Sequence, residues 1–279
     1  MLITFVSLSA KTRKRHFPQS IFSDRGIEYR IRISAVIFLK NTVHRYWNSN
    51  RRSTNTIEIS EREKSHLRNA LIGVVNERNH TIAEQISLVI AKIARFDFPL
   101  KWPNLFETLL GQYGRSPIHT DRVVMILQRV LKVLSSKRLP SAKRVFAQIQ
   151  EKLLSTILDR WHSIMNEFII RLKRRVAERG NENNNITHQN QPSILILGST
   201  CVNLCKCIHR LVIHGSSSVR SVGDFNLSTY SLIIIIYIRK RVIHLYNSNK
   251  SNTGTQKSFD GTIFLHSFRE RFDGDIDEV

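Results

Sequence analysis

Apolar residues recur in this chain at three- and four-residue intervals, in stripe after stripe cut short by a few polar residues or a proline. That pattern restricts the chain to packed helices. The clearest stripe is Ile82, Ile86, Val89, Ile90, Ile93 and Ala94, six positions on one helix face. Upstream, the pattern becomes helical at Ala35, with Val36, Leu39, Val43, Tyr46 and Trp47 on one face. A polar loop over 48–56 follows, and Ser60 with Glu63 reads as a capping box opening a helix through Leu67, Leu71, Ile72 and Val75. After a break at 76–79, the Ile82 stripe runs to Asp97-Phe98-Pro99, where the proline disfavours helix for the residue before it. Pro103 is expected at the first position of the next helix, where its missing amide costs nothing. Leu105, Phe106, Leu109 and Leu110 carry that helix to Gly111. A break at 111–117 precedes a helix from Val123 to Leu134. Beyond Pro140, the spacing of Val145, Ile149, Leu153, Ile157 and Trp161 predicts a long helix towards Leu172. An Asn-rich stretch at 181–191 predicts a flexible loop, and an apolar helical run occupies 194–214. No strand pattern occurs before 233–236.

Helices in pairs, each too apolar to stand alone and joined by short breaks, point to an all-α fold, an α-solenoid of antiparallel pairs. A pair spacing of roughly 40 residues fits the HEAT or armadillo period. The repeat is one of structure, without residue-level self-similarity. The expected organisation is an unassigned, weakly ordered segment over 1–34, a HEAT-repeat region over 35–215, and a tail over 216–279 outside the solenoid.

Lys and Arg number 43 against 22 Asp and Glu in 279 residues, a net charge of +21. Nearly half of that excess, +10, falls in residues 111–180. An anionic partner is therefore worth considering, while an acidic activation tail is ruled out. Three clustered cysteines, Cys201, Cys205 and Cys207, are too few for a disulfide framework and suggest a reducing compartment. The apolar runs at 1–10 and 232–238 are far shorter than the roughly 20 residues a membrane span needs. The positive charge after the first run reverses the order of a signal peptide. No membrane insertion is expected.

Two strings of residues go further than periodicity. Residues 90–105 read IAKIARFDFPLKWPNL, and residues 38–47 read FLKNTVHRYW. In order and spacing they resemble the "KN…W" helix and the "D-x-P-x-x-W-P-x-L" corner of an early HEAT repeat in the importin-β (karyopherin-β) superfamily. Trp47, Asp97, Pro99, Trp102, Pro103 and Leu105 carry the resemblance, which covers about residues 35–215. Their role is read as structural, since two prolines stiffen a corner and an indole seals the gap between the helices it joins.

The resemblance implies a nuclear transport receptor that shuttles between nucleus and cytoplasm and acts at the nuclear envelope. Its implied partners are the GTP-bound GTPase Ran, protein cargo and phenylalanine-glycine nucleoporins, with Ran-GTP binding releasing cargo. For Ran it implies a region, the helix bearing Lys40, Asn41 and Arg45. Lys40 is suited to an acidic or backbone oxygen of the GTPase. The alternative is that Asn41 merely ties the helix to its neighbour. The chain has room for about four or five helix pairs at this period, and the resemblance ends near Val219. The expectation is a fragmentary product with ends of another origin.

Other features have plainer readings. Cys201, Cys205 and His209 share a helix face, but a tetrahedral metal site needs a second element, so no metal is expected. The run at 171–175 (RLKRR) suits a nuclear localisation signal or a phosphate patch, yet reads better as a solvated helix end whose cations suit the dipole. Aromatics are not interleaved with the basic residues as a single-strand binder requires, which leaves only nonspecific, salt-sensitive nucleic-acid binding open. No catalytic motif or phosphate-cradling glycine loop is present, and the chain is read as a non-enzyme without cofactor.

Overall fold

The structure, a computed structural model, describes residues 19–48, 59–178 and 194–215. The sequence readings at 1–18, 181–191 and 216–279 lie outside the described residues. Among the described residues eight helices follow one another: α1 (Gln19–Ser23), α2 (Tyr29–Tyr46), α3 (Glu61–Gly73), α4 (His80–Asp97), α5 (Leu105–Leu110), α6 (Pro117–Ser135), α7 (Pro140–Glu178) and α8 (Ile194–Gly215). Among the described residues there is no strand.

Helices two apart in sequence lie side by side. α2 packs on α4, α4 on α6 and α6 on α8, so the even-numbered helices form one layer and α1, α3, α5 and α7 lie outside it. That is a solenoid of helix pairs, as the apolar stripes require. Polar links from the even helices to the neighbouring even helix or to the turn that leads into it keep one register. Arg32 reaches Glu77, Lys40 reaches Gln85, Arg122 reaches the Glu77 carbonyl and Arg129 reaches Glu84, each across 45 residues. The repeat period is therefore nearer 45 than 40, still within the HEAT range.

Local chemistry sets the helix ends. Ser60 Oγ accepts from the Glu63 amide and the Glu63 carboxylate accepts from the Ser60 amide, the expected capping box. Asn79 caps α4 through the Ile82 amide, and Ser116 caps α6 through the His119 amide with Pro117 in the first turn.

Three sequence boundaries are corrected. The second helix starts at Tyr29, not Ala35, and α1 precedes it, so order begins well inside the segment expected to be weakly ordered. Periodicity misses this because Arg32, at 7% exposure, occupies the buried face. There its guanidinium donates to the Phe22 carbonyl and pairs with Glu77. Likewise α6 starts at Pro117, not Val123, because Thr120, Asp121 and Arg122 are buried polar residues in its first turns. Pro103 does not open α5. The Asp97 carbonyl accepts both the Lys101 and Trp102 amides, which extends the turn and delays the helix to Leu105.

The corner residues Trp47, Asp97, Trp102 and Leu105 are all buried, Pro99 is half-buried and Pro103 exposed. At the centre the Asp97 carboxylate accepts from the Trp47 indole N–H at 3.0 Å and from Arg68 at 2.5 Å. Arg68 also pairs with Glu61 at 2.7 Å, and Lys64 lies over the Trp47 ring at 5.7 Å. One carboxylate thus joins α2, α3 and α4. α8 is long and apolar enough to cross a membrane, judged by length and composition only. Here, however, its Leu197, Cys201, Leu204, Ile208 and Leu211 are buried in the core against α6 and α7.

Replacing Asp97 by Ala leaves the buried Trp47 indole N–H without its acceptor and the Arg68 guanidinium with Glu61 alone. The expected loss is about 3–5 kcal/mol of unfolding free energy, measured by urea denaturation. Burial pushes the Glu61 carboxyl up, but the Arg68 hydrogen bond and the charges of Arg68 and Lys101 outweigh it, leaving a pKa below the ordinary 4.5. A lowered carboxyl stabilises the fold above its unfolded pKa and loses that effect as pH falls through its folded value. Glu61→Gln should therefore be less stable than the parent at pH 7, and the difference should shrink in parallel melts as the pH falls through the lowered folded-state pKa of Glu61.

Candidate protein-docking face

The outward side of the even-helix layer collects the candidate residues. On α2, Ile37, Asn41, His44 and Arg45 are exposed on one stripe, with Lys40 half-buried beside them. Lys40 Nζ donates to Gln85 Oε1 on α4 at 2.8 Å, so Lys40, not Asn41, ties this helix to its neighbour. An ammonium has three donors, and two remain for a partner. Asn41 and Arg45 point away from the core and are available at the surface.

Next along the layer, α4 contributes Glu84, Lys92 and Arg95, and α6 contributes Arg129 and Lys132, all half-buried. Arg129 pairs with Glu84 at 2.6 Å, a partly exposed bridge worth roughly 0–1 kcal/mol. Arg95 donates to the Val133 carbonyl at 3.3 Å and to Ser136 Oγ at 2.9 Å. The charge balance of the face follows from where the carboxylates go. α2 carries none. In α4, Asp97 is buried with Arg68 and Trp47; in α6, Asp121 is buried with Arg122 and Thr200. Glu84 alone among the acids of these three helices reaches the surface, and Arg129 neutralises it. Lys40, Arg45, Lys92, Arg95 and Lys132 form a basic strip crossing three helices.

Periodicity gave no sign of a second polar chain at the opposite ends of these helices. Glu77 pairs with Arg32 and its carbonyl accepts from Arg122 Nε at 3.0 Å. Arg122 pairs with Asp121 at 2.6 Å, and Asp121 accepts from Thr200 on α8 at 3.3 Å. Burial pushes the Asp121 carboxyl up, against the pull of Arg122 and Thr200. These groups are sealed from solvent and brace the layer; they offer no binding surface.

Among the described residues, no three His, Cys, Asp or Glu side chains are placed to share a metal ion. Cys201, Cys205 and Cys207 are buried thiols on α8, spread between the faces that meet α6 and α7. The Arg171 side chain reaches Glu167 one turn back at 2.5 Å, which suits a solvated helix surface.

Comparison with known proteins fixes the family. Residues 17–77 match the importin-β N-terminal domain and residues 79–169 match an exportin 1-like protein family. The two matches meet in the turn between α3 and α4 and together span more than half of the chain. The chain belongs to the importin-β superfamily. Within the superfamily it is 32% identical to mouse importin-11 over 151 residues, which is 54% of this chain and 15% of that protein. It is 36% identical to the importin beta-like protein KAP120 of Saccharomyces cerevisiae over 126 residues, covering 43% of this chain and 12% of that one. Among solved structures, Lph2, a bidirectional nuclear transport receptor of S. cerevisiae, superposes with a TM-score of 0.57 at 23% identity. That match covers 87% of this chain and 21% of Lph2. The exportin Cse1 in its cargo-free, cytoplasmic state gives 0.53 at 17% identity, over 75% of this chain and 22% of that one. These two establish the karyopherin solenoid fold. The chain spans less than a quarter of the length of each of these relatives.

Burial pushes the Cys201 and Cys207 thiols up to about 12. All three cysteines should therefore resist a thiol reagent at pH 8 in the native chain and titrate fully in guanidinium. Rapid native labelling would show that α8 is not packed as described.

Proposed function

We propose that this importin-β superfamily chain acts as a nuclear transport receptor of the importin-11 kind. In this reading it binds Ran in its GTP form through the α2 end of the even-helix layer and takes part in protein import. The observation that carries the reading is the pair of adjoining family matches over 17–169, which take in α2 and the basic strip beside it. Arg45 and the two uncommitted donors of Lys40 are suited to carboxylates or backbone oxygens on the GTPase, with Asn41 between them as a neutral hydrogen-bonding group. Cargo and phenylalanine-glycine nucleoporins are the further partners proposed, with shuttling between nucleus and cytoplasm. Release of cargo on Ran-GTP binding requires only that the two ligands favour different solenoid curvatures.

Pull-down on immobilised chain should retain Ran-GTP and not Ran-GDP. Arg45→Glu, at a side chain exposed to solvent, should weaken retention at least about tenfold without lowering the melting temperature. Equal recovery of both nucleotide forms would overturn the proposal.

A second reading, a basic HEAT scaffold for nucleic acid or another polyanion, is favoured by the number of cations in the strip and by the +10 of residues 111–180. It calls for RNA affinity that falls steeply and linearly on a log-log salt plot.

A further inference from the structure

At one end of the even-helix layer two successive corners are built alike. The α4–α5 corner holds Leu100 at 93% exposure, with Phe96 at 41% one turn before it. This exposure is not slack in the chain. On one side the Phe98 amide donates to the Ala94 carbonyl and the Phe98 ring meets Phe106 edge-on at 5.1 Å. On the other, the Lys101 and Trp102 amides both donate to the Asp97 carbonyl, at 2.7 and 3.1 Å, and the Trp102 indole is buried. Leu100 is therefore held out into water by a corner pinned at both ends. The α6–α7 corner repeats the arrangement. Leu139 is 70% exposed, the Lys137 amide donates to the Leu134 carbonyl, and the Leu139 carbonyl accepts the Lys143 amide. Arg95 fixes the corners to each other by reaching from α4 to Val133 and Ser136.

Cations surround both leucines. Lys101 follows Leu100 directly, Lys137 and Arg138 precede Leu139, and Lys143 and Arg144 are exposed on the first turns of α7. The carboxylates at this end are Glu107 on α5 and Glu61, which is committed to Arg68 at 2.7 Å and meets Lys101 at 3.5 Å. Burial lowers the Lys137 pKa, and the neighbouring Arg95 charge lowers it further, so positive charge is crowded here, five cations against these two carboxylates.

We propose that this rim is a docking site for an acidic peptide segment carrying two large apolar side chains, which pack on Leu100 and Leu139 while its carboxylates meet Lys101, Arg138 and Lys143. Neighbouring packed helices lie about 8–10 Å apart, so the two anchors are matched by residues seven apart on a helix, about 10.5 Å. A pinned corner loses little freedom on binding, which favours recognition by two exposed side chains. Charge complementarity selects the occupant, since an uncharged apolar segment would gain nothing from five flanking cations. The site is separate from α2, so it stands or falls independently of GTPase binding.

The probe is a fluorescein-labelled helical peptide bearing two leucines seven apart with glutamates between and around them, titrated with the full chain and read by anisotropy. Binding should weaken about tenfold in each of Leu100→Ser and Leu139→Ser and fall steadily with added salt. Both side chains contact mostly water, so the circular-dichroism melt should match the parent. Arg45→Glu should leave peptide binding unchanged. No binding of the peptide would overturn the proposal, as would full binding by the double leucine variant or equal binding of the peptide with glutamines in place of glutamates. The proposal also fails if phosphatidylserine–phosphatidylcholine vesicles, and not the peptide, capture the chain in a leucine-dependent way. A loss confined to Arg45→Glu would place the contact on the α2 face and overturn it equally.

Discussion

The buried carboxylate of Asp97 is where three helices agree on a common position. A charge taken out of water is tolerated only when donors surround it, and Asp97 has the Trp47 indole from α2 and the Arg68 guanidinium from α3. Its own backbone carbonyl then takes up two amides of the following turn. The residue thus fixes both the packing of one repeat and the direction in which the chain leaves it. Everything downstream inherits that corner: the burial of Trp102, the delayed start of α5 and the outward aim of Leu100.

The same demand for partners explains the surface. Asp97 and Asp121 are drawn inward to satisfy buried arginines, which removes from the even-helix layer two acids that would have offset its lysines. Lys40 and Arg95 bond to neutral acceptors and keep their charge. The excess of cations in the sequence is concentrated further into a basic strip, because acids and bases are sorted between interior and exterior. A strip of this kind suits an anionic partner.

Much of the architecture was legible along the chain. The capping box at Ser60, the stop at Asp97 and the long helix after Pro140 are local events, decided by residues within a turn or two of each other. The corner residues Trp47, Asp97 and Trp102 were legible as a motif, and they are buried together. The starts of α2 and α6 were not legible, since Arg32, Asp121 and Arg122 interrupt the apolar stripe with charge. For the docking face, Lys40 and Arg45 could be named from the resemblance, while its extension through Lys92, Arg95 and Lys132 needed the three helices side by side.

The sequence by itself determined that the chain forms amphipathic helices in pairs, where most of them end, and that it resembles the importin-β superfamily. Those properties depend on periodicity and on short-range caps and prolines. Only the tertiary structure decided which charged residues are core and which are surface. A buried arginine and a solvated one look the same in sequence, and the carbonyl or carboxylate that distinguishes them comes from Glu77, in the turn before α4 and 45 residues away along the chain.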